Sequence, residues 1–266
     1  SNDQQQTRPV LFRGGGFLPE RIRWVGPLVF LVILFFVEVG TRLGWISNLT
    51  MPKPSAVLDT LLNLYNSNLL FKHLAPSLER LFVGGAIGLI AGTVVGTLIG
   101  LFSLFRAGLV PLVAAIFPIP KIALLPLFVI WFGIGETSKF ALIAFGTFTP
   151  TVVATFGAVD NVDRTLIRMG QSFGLSWWSI VRKIVLPGAL PGILSGARVS
   201  LAIAIILLVA AEMLGAEYGV GAYILEAGSL YDLERLFAGV AILSVLGLFV
   251  SWLIGLIERR FLSWRT

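Results

Sequence analysis

The chain has 266 residues, of which 56% are hydrophobic and only 13% are charged, about half the ~25% charged share of a soluble domain. This composition excludes an ordinary soluble domain and predicts an integral membrane protein. The net charge is +6, and the basic residues flank apolar segments, which favours lipid headgroups over nucleic acid as their partners. Because the chain lacks cysteine, disulfides, thiolate metal sites and cysteine nucleophiles are excluded.

Six apolar runs follow one another along the chain, and they predict an all-α, polytopic membrane protein with six transmembrane helices. Each run has about 20 residues or more, enough to cross a hydrocarbon core of about 30 Å and too long for a barrel strand. Residues 1–16 are predicted to be a disordered tail, and residues 17–264 to form one transmembrane domain. Residues 17–24 are equally consistent with a surface-lying helix and with more of the tail. The predicted spans are 25–44, 81–101, 108–132, 140–159, 193–214 and 236–257.

The distribution of Lys and Arg between the two sets of connecting segments predicts the topology. Twelve lie on one side of the predicted spans and six on the other, so the richer side, which includes both termini, is predicted to be cytoplasmic. The richer side holds Arg8, Arg13, Arg21, Arg23, Arg106, Arg164, Arg168, Arg182, Lys183, Arg259, Arg260 and Arg265. The other side holds Arg42, Lys53, Lys72, Arg80, Lys139 and Arg235.

Two local features surround the end of the first span. Glu38 and Arg42 are four residues apart in the order that favours an ion pair on a helix. Ser55 follows two prolines and precedes an amphipathic stretch, so it is predicted to cap a short outer helix.

The second span carries glycine at every fourth position over five turns, so one face of this helix has almost no side-chain bulk. Such a face lets another helix approach closely. The pattern fits static close packing and also fits a helix at the centre of a moving bundle. The glycines are Gly84, Gly88, Gly92, Gly96 and Gly100.

The third span is interrupted by four prolines, which kink or break a helix because each removes a backbone hydrogen bond. Lys121 follows one of them at about mid-span, where a charge is costly and needs a partner or water. It is a candidate for lining a transport pathway that attracts an anion; the alternative is a lysine that binds carbonyls freed at the kink. Glu212, at the outer end of the fifth span, is a second pathway candidate, with a structural pairing as its alternative.

The segment 160–192 is polar but helical in pattern. A first short helix over 164–173 is predicted to end at Gly174 in a left-handed turn, and Ser176 is predicted to cap a second helix over 177–185. Leu186-Pro187 is predicted to end that second helix. Trp177 and Trp178 suit a protein interface and suit the lipid headgroup region equally well.

This segment resembles the "EAA" loop of binding-protein-dependent ABC importer permeases of type I. The loop glycine and the Leu-Pro pair occur at the family spacing, whereas Arg168 stands where the family has an acid. The residues assigned to the loop are Arg168, Gly170, Ser172, Gly174, Trp177, Trp178, Leu186 and Pro187.

The resemblance extends over nearly the whole chain and is strongest to the branch that includes taurine, alkanesulfonate, nitrate and bicarbonate permeases. The stretches that carry it are Ser77-Leu78-Glu79-Arg80, Pro118-Ile119-Pro120-Lys121, Trp131-Phe132-Gly133-Ile134-Gly135-Glu136, Ala211-Glu212 and Gly219-Val220-Gly221.

The family resemblance implies a division of labour between subunits. Two permease copies, most simply a homodimer, would enclose the pathway in the bacterial inner membrane. Two cytoplasmic ATPase subunits would bind ATP and Mg²⁺ and receive the 160–192 loop, and an extracytoplasmic binding protein would deliver the substrate. The chain itself has no G-x-x-x-x-G-K-[ST] stretch, and we expect no catalytic residue, metal or cofactor in it.

The substrate is expected from the family resemblance alone, and two other classes of function compete with an importer permease. An organic sulfonate such as taurine is the first choice, with nitrate or bicarbonate next, all from the resemblance. A channel or secondary transporter would have no reason to keep the loop, and internal repeats of the kind many carriers show are not evident. A membrane enzyme would need clustered ionisable groups at membrane depth, whereas the single histidine, His73, is predicted to be an outer surface residue.

Overall fold

The structure is a computed structural model, and it describes residues 24–261. In that part of the chain every regular element is helical, which confirms the all-α prediction. The chain divides into two units, Ser1–Ser55 and Ala56–Thr266. The predictions for residues 1–16 and for most of 17–24 lie outside the described residues.

The described residues form eleven α-helices, with one 3₁₀ turn before α5 and one π turn before α9. They are α1 Val25–Arg42, α2 Pro54–Asn66, α3 Leu69–Leu101, α4 Ser103–Ile116, the 3₁₀ turn Lys121–Leu124, α5 Leu125–Phe132, α6 Glu136–Asp160, α7 Arg164–Ser172, α8 Trp177–Ile180, the π turn Val181–Val185, α9 Leu186–Met213, α10 Val220–Ser229 and α11 Leu233–Phe261.

Five of these helices are long and apolar enough to cross a membrane, and the count reaches the predicted six when the bent pair of α4 and α5 is taken as one span. This pair is Ser103–Ile116 and Lys121–Phe132, and it is bent by 90° at its break. Pro118 and Pro120 lie in the break. They account for it, because a proline removes a helical hydrogen bond and restricts the backbone of the residue before it. The sixth span is therefore interrupted at the position of Lys121.

The helix α3 begins at Leu69, twelve residues before the predicted start of the second span, and it continues through Pro76. The prediction was wrong because Lys72, Glu79 and Arg80 interrupt the apolar run, although Arg80 is only 4% exposed. Thirty-three residues at about 1.5 Å each give a helix of about 50 Å, longer than a hydrocarbon core of about 30 Å. Lys139, counted with the outer segments, is likewise a buried residue, in α6.

The centre of the second unit is α6, which packs against α3 on one side and α9 on the other. The five glycines of α3 that are spaced four apart face α6, and a Cβ added at any of them would collide with an α6 side chain. The collision partners are also spaced four apart, so the two helices interlock in register. In the order of the glycines, they are Ile143, Thr147, Thr151, Thr155 and Val159.

In the first unit, Glu38 and Arg42 form the predicted ion pair, at 2.6 Å between Oε1 and Nε. Glu38 also accepts hydrogen bonds from the backbone N–H and the hydroxyl of Ser55, at 3.0 Å and 2.8 Å. The helix α2 begins at Pro54, a residue favoured at a first helical position. Ser55 is therefore not the cap that was predicted, because Glu38 uses its hydroxyl.

Candidate functional site

The segment 160–192 lies between α6 and α9 and forms the predicted helix–Gly–helix projection. The carboxylate of Asp163 caps α7 by accepting from the Thr165 N–H at 2.7 Å. Gly174 has a φ of 71°, a left-handed conformation that favours glycine. Ser176 accepts from the Ser179 N–H at 3.3 Å and caps α8, as predicted.

This projection is a packed unit rather than a loose loop. Gly170 is buried, and a Cβ there would lie 2.9 Å from Cδ1 of Ile184, so α7 can approach the second helix closely. The Leu175 N–H donates to the Gly170 carbonyl at 3.0 Å. A hydrophobic cluster joins the projection to the ends of α6 and α9, and its buried members are Val159, Val162, Ile180, Val185 and Ala189.

The outer face of the projection is apolar and exposed. Phe173 is 79% exposed and Trp178 is 68% exposed, and the rings of Trp177 and Trp178 stack at 5.3 Å between centroids. Arg168 and Ser172 are exposed beside them. Large apolar side chains grouped on a surface indicate a contact with another protein or with lipid. Leu166 and Met169, which the sequence analysis did not single out, are also about half exposed on α7.

The prediction that Leu186-Pro187 ends the second helix was wrong. Helical structure runs without interruption from Trp177 to Met213. The π turn Val181–Val185 lies directly before the pair, and Pro187 falls in the first turn of α9, where its missing N–H is tolerated. The second helix of the projection is therefore continuous with a membrane span, so a displacement of one end can be transmitted along it.

At the opposite ends of α6 and α9, a cluster of charged residues joins α3, α6 and α9; Arg80 and Glu212 are buried, whereas Glu136 is about half exposed. Glu212 is 1% exposed and accepts from Ser77 Oγ at 2.7 Å and from Arg80 Nη1 at 2.9 Å. Arg80 also binds both carboxylate oxygens of Glu136, at 2.6 Å and 2.7 Å. A buried arginine that binds two carboxylates has partners for its N–H donors. These charge-assisted hydrogen bonds offset the free-energy cost of removing its charge from water.

The same cluster holds the connection between α9 and α10. Glu212 accepts from the Gly221 N–H at 2.8 Å, and Arg80 Nη1 donates to the Tyr218 carbonyl at 2.7 Å. A Cβ at Gly221 would lie 2.8 Å from the Val209 carbonyl oxygen, so only glycine allows this approach. The sequence analysis named Glu212 and left its partner open; the structure places it against Arg80.

His73 is not the surface residue that was predicted. It lies half-buried in α3, and its Nδ1 is 3.0 Å from the Gly219 carbonyl oxygen and 3.3 Å from the Gly219 nitrogen. Its ring packs against Tyr223 at 5.2 Å between centroids. Burial raises the pKa of the Tyr223 phenol above its usual range. The histidine lies within α3 because that helix begins earlier than its apolar run.

Lys121 lies at the break between α4 and α5. Its Nζ donates to the carbonyls of Ile116 and Phe117 at the end of α4, at 3.1 Å and 2.7 Å; the Ile116 carbonyl also accepts from the Ile119 N–H. No carboxylate among residues 24–261 lies within ion-pair distance of it. Lys121 thus binds backbone carbonyls at the kink, as one prediction expects. Its charge also has no carboxylate partner among the described residues, as the prediction of an anion pathway requires.

Within residues 24–261, no three His, Cys, Asp or Glu residues come together in a group that could hold a metal ion. The helical bundle, the broken span and the exposed projection define the class of the protein as a polytopic transport protein of the membrane.

Comparison with known proteins gives the family. Residues 84–263 match the family model described as "Binding-protein-dependent transport system inner membrane component". The chain belongs to this family and is the membrane-embedded permease subunit of an ABC importer, which works with a separate ATPase and a substrate-binding protein. It is therefore a transporter subunit and not an enzyme.

Three relatives show what the chain resembles. It is 36% identical to a Bacillus subtilis (strain 168) protein named "Putative aliphatic sulfonates transport permease protein SsuC", over 92% of this chain and 90% of the relative. It is 34% identical to the taurine transport system permease protein of Escherichia coli (strain K12), over 90% and 88%. It is 31% identical to a riboflavin transport system permease protein of Chloroflexus aurantiacus, over 92% of each.

Solved structures agree on the fold. A structure of inward-facing conformations of the MetNI methionine ABC transporter superimposes with a TM-score of 0.63 at 25% identity, covering 73% of this chain and 96% of that one. An amino acid ABC transporter solved with histidines gives 0.60 at 20% identity, covering 75% and 97%. The predicted type I importer permease fold is confirmed.

Proposed function

We propose that this permease forms the pathway for a small organic sulfonate, either an alkanesulfonate anion or taurine, whose sulfonate group is negatively charged. The observation that carries the proposal is the unpaired ammonium group of Lys121 at the break in a membrane span. An uncompensated charge at that depth is costly, and residues of this kind mark substrate pathways. The sulfonate and taurine relatives support this choice over nitrate or bicarbonate, which the sequence resemblance also brought forward.

The exposed projection is proposed to dock onto the ATPase subunit, which would bind ATP and Mg²⁺. Its face combines Trp177, Trp178 and Phe173 with the basic Arg168, a composition typical of the core of a protein interface. The continuity of its second helix with α9 gives a direct route from the ATPase to the membrane domain. In this arrangement the projection is cytoplasmic, and both termini are on the same side.

We further propose that the importer contains two copies of this chain. A homodimer would place two Lys121 side chains around one pathway and would present two projections to two ATPase subunits. The exposed apolar surface of the described bundle is far larger than one projection, and lipid together with a second copy would cover it.

The test of the substrate proposal is uptake by the reconstituted importer, with its ATPase and binding protein, in proteoliposomes. Taurine, ethanesulfonate, nitrate, bicarbonate and riboflavin would be compared at equal concentration. We expect a sulfonate to give the highest uptake and the strongest stimulation of ATP hydrolysis. If riboflavin, which carries no sulfonate, stimulates best, the anion proposal is wrong; if uptake proceeds without the ATPase, the coupling proposal is wrong.

A further inference from the structure

A cavity of about 270 Å³ lies where the broken span meets α6 and α9, and Lys121 forms part of its wall. Its other walls are almost entirely apolar, contributed by residues such as Phe117, Ile122, Ile206 and Leu207. Small-ligand sites typically combine such walls with a few placed polar groups. The cavity is large enough for a two-carbon sulfonate and too small for a drug-sized molecule.

Thr149 of α6 is the second polar side chain of this cavity, and its hydroxyl has no partner. The residue is 1% exposed, and Oγ1 makes no hydrogen bond. Its neighbours on the helix differ: the hydroxyls of Thr147 and Thr151 donate to backbone carbonyls four residues earlier, at 2.9 Å and 2.6 Å. A buried hydroxyl without a partner costs free energy. Because Thr149 also lines the cavity, a ligand bound there would supply the missing partner.

The stem of Lys121 and the residue Thr149 lie on the same side of α6, and both line the cavity. A Cβ added at Gly146 would lie 3.8 Å from Cγ of Lys121, so the lysine stem crosses α6 at Gly146. Thr149 is three residues further along, on the same helix face. Two of the three Lys121 ammonium hydrogens are used by carbonyls, which leaves one donor.

Thr149 is also near the middle of the membrane-crossing helix α6. It lies 13 residues after the first residue of α6 and 11 before the last, or roughly 20 Å and 17 Å along a helix. At this depth an anion needs both a positive charge and hydrogen-bond donors in place of water.

We infer that Lys121 and Thr149 form a substrate subsite midway along the membrane-crossing helices, which binds the sulfonate headgroup while the apolar walls contact the carbon chain of an alkanesulfonate. The inference rests on the proposed anionic substrate and specifies where that substrate stops. Lys121 supplies the charge, and Thr149 supplies a neutral donor that favours a tetrahedral oxyanion with several acceptor oxygens. Binding by one charge and few donors is weak enough to permit release.

The chain offers a matched control for Thr149. Thr155, two turns further along α6, is also fully buried with no partner for its hydroxyl, but it packs against α3 and does not line the cavity. Thr149→Val and Thr155→Val remove the same hydroxyl with almost no change in volume. Any general effect of that loss on α6 would therefore appear in both variants.

The experiment measures maximal taurine and ethanesulfonate uptake, and ATP hydrolysis, by the complete importer with saturating loaded binding protein. Thr149→Val should lower uptake per ATP hydrolysed on the order of ten-fold, the effect of one lost hydrogen bond to a charged group, whereas Thr155→Val should match the unchanged protein. Lys121→Met should lower it at least as much, and Lys121→Arg, which keeps the charge, should retain more. Melting temperatures in detergent would verify that each variant is folded.

Two different failures remain distinguishable. If the unchanged importer moves no sulfonate, the proposed substrate is wrong. If it moves sulfonate but Thr149→Val equals Thr155→Val, or Lys121→Met equals the unchanged protein, the subsite is wrong while the substrate proposal stands.

Discussion

Glu212 is the residue on which most of the buried polar contacts at one end of the bundle depend. Its carboxylate connects Ser77 and Arg80 of α3 with the Gly221 N–H of α10, and all of these contacts are 2.9 Å or shorter. Each group is buried, so the arrangement is favourable only while every member keeps its partner. The charge that looked like a pathway candidate in the sequence is therefore fully engaged inside the protein.

Glu212→Gln should destabilise the protein, because it leaves Arg80 with one carboxylate instead of two in a buried site. A loss of about 3 kcal/mol is expected from breaking a buried charge pair, reduced to the extent that Glu136 compensates. Thermal unfolding in detergent measures the loss. Glu226→Gln is the matched control, because Glu226 is exposed and its contact with Arg235 is 3.5 Å. Equal melting temperatures for the two variants would contradict this account.

At the scale of elements, the packing of α3 on α6 depends on a matched pair of four-residue patterns. Glycine on α3 meets threonine or a β-branched apolar residue on α6 at each turn. The hydrophobic effect does not drive association between helices in lipid, so close contact must supply the attraction. The glycine face of α3 carries no side chains, which allows that close contact along the whole interface.

Gly92→Ala should therefore lower stability by about 1–3 kcal/mol, because its Cβ would lie 2.7 Å from Cβ of Thr151. Gly157→Ala is the control on the partner helix, since a Cβ there meets nothing within 4 Å. In an open position alanine should be neutral or stabilising by up to about 1 kcal/mol, because glycine is a poor helix former. The difference in unfolding temperature between the two variants is the measurement; an unchanged Gly92→Ala protein would show that the helices adjust freely.

At the scale of the whole molecule, the second unit has a distinct feature at each end and one in the middle. The buried ion cluster joins three helices at one end, the exposed projection extends α9 at the other, and the broken span with Lys121 lies between them. A push on the projection would reach the middle through α9, whose side chains also line the cavity. This arrangement suits a protein that converts movement at one face into access at mid-membrane.

The Trp178→Ala variant should uncouple ATP hydrolysis from transport without unfolding the bundle. The double variant Phe173→Ala/Trp178→Ala should do so more strongly. Both side chains are mostly exposed, so their loss removes contact area from a partner rather than from the core. Co-purification of the ATPase and uptake should fall together. Trp252→Ala is the control, because Trp252 is 58% exposed and belongs to α11 rather than to the projection. Normal ATPase binding by the double variant would mean that the projection contacts lipid instead.

The sequence by itself determined the class, the number of spans and the local chemistry of the projection. Long apolar runs, basic flanks, Gly174 and Ser176 act through short-range physics, namely hydrophobic length, backbone conformation and capping, which need no tertiary context. The glycine repeat likewise identified the close-packing face of α3. These features were therefore readable residue by residue.

Only the tertiary structure decided which charged residues are paired and which are not. Arg80 and Glu136 are 56 residues apart, and Arg80 and Glu212 are 132 apart, so no local pattern could join them. Their burial also explains the misplaced start of α3 and the misplaced His73, because internal pairing lets charged residues extend a helix beyond its apolar run. Thr149 looks like the other threonines of α6 in the sequence. It differs from most of them because folding places it in the wall of the cavity beside the broken span and leaves its hydroxyl without a partner.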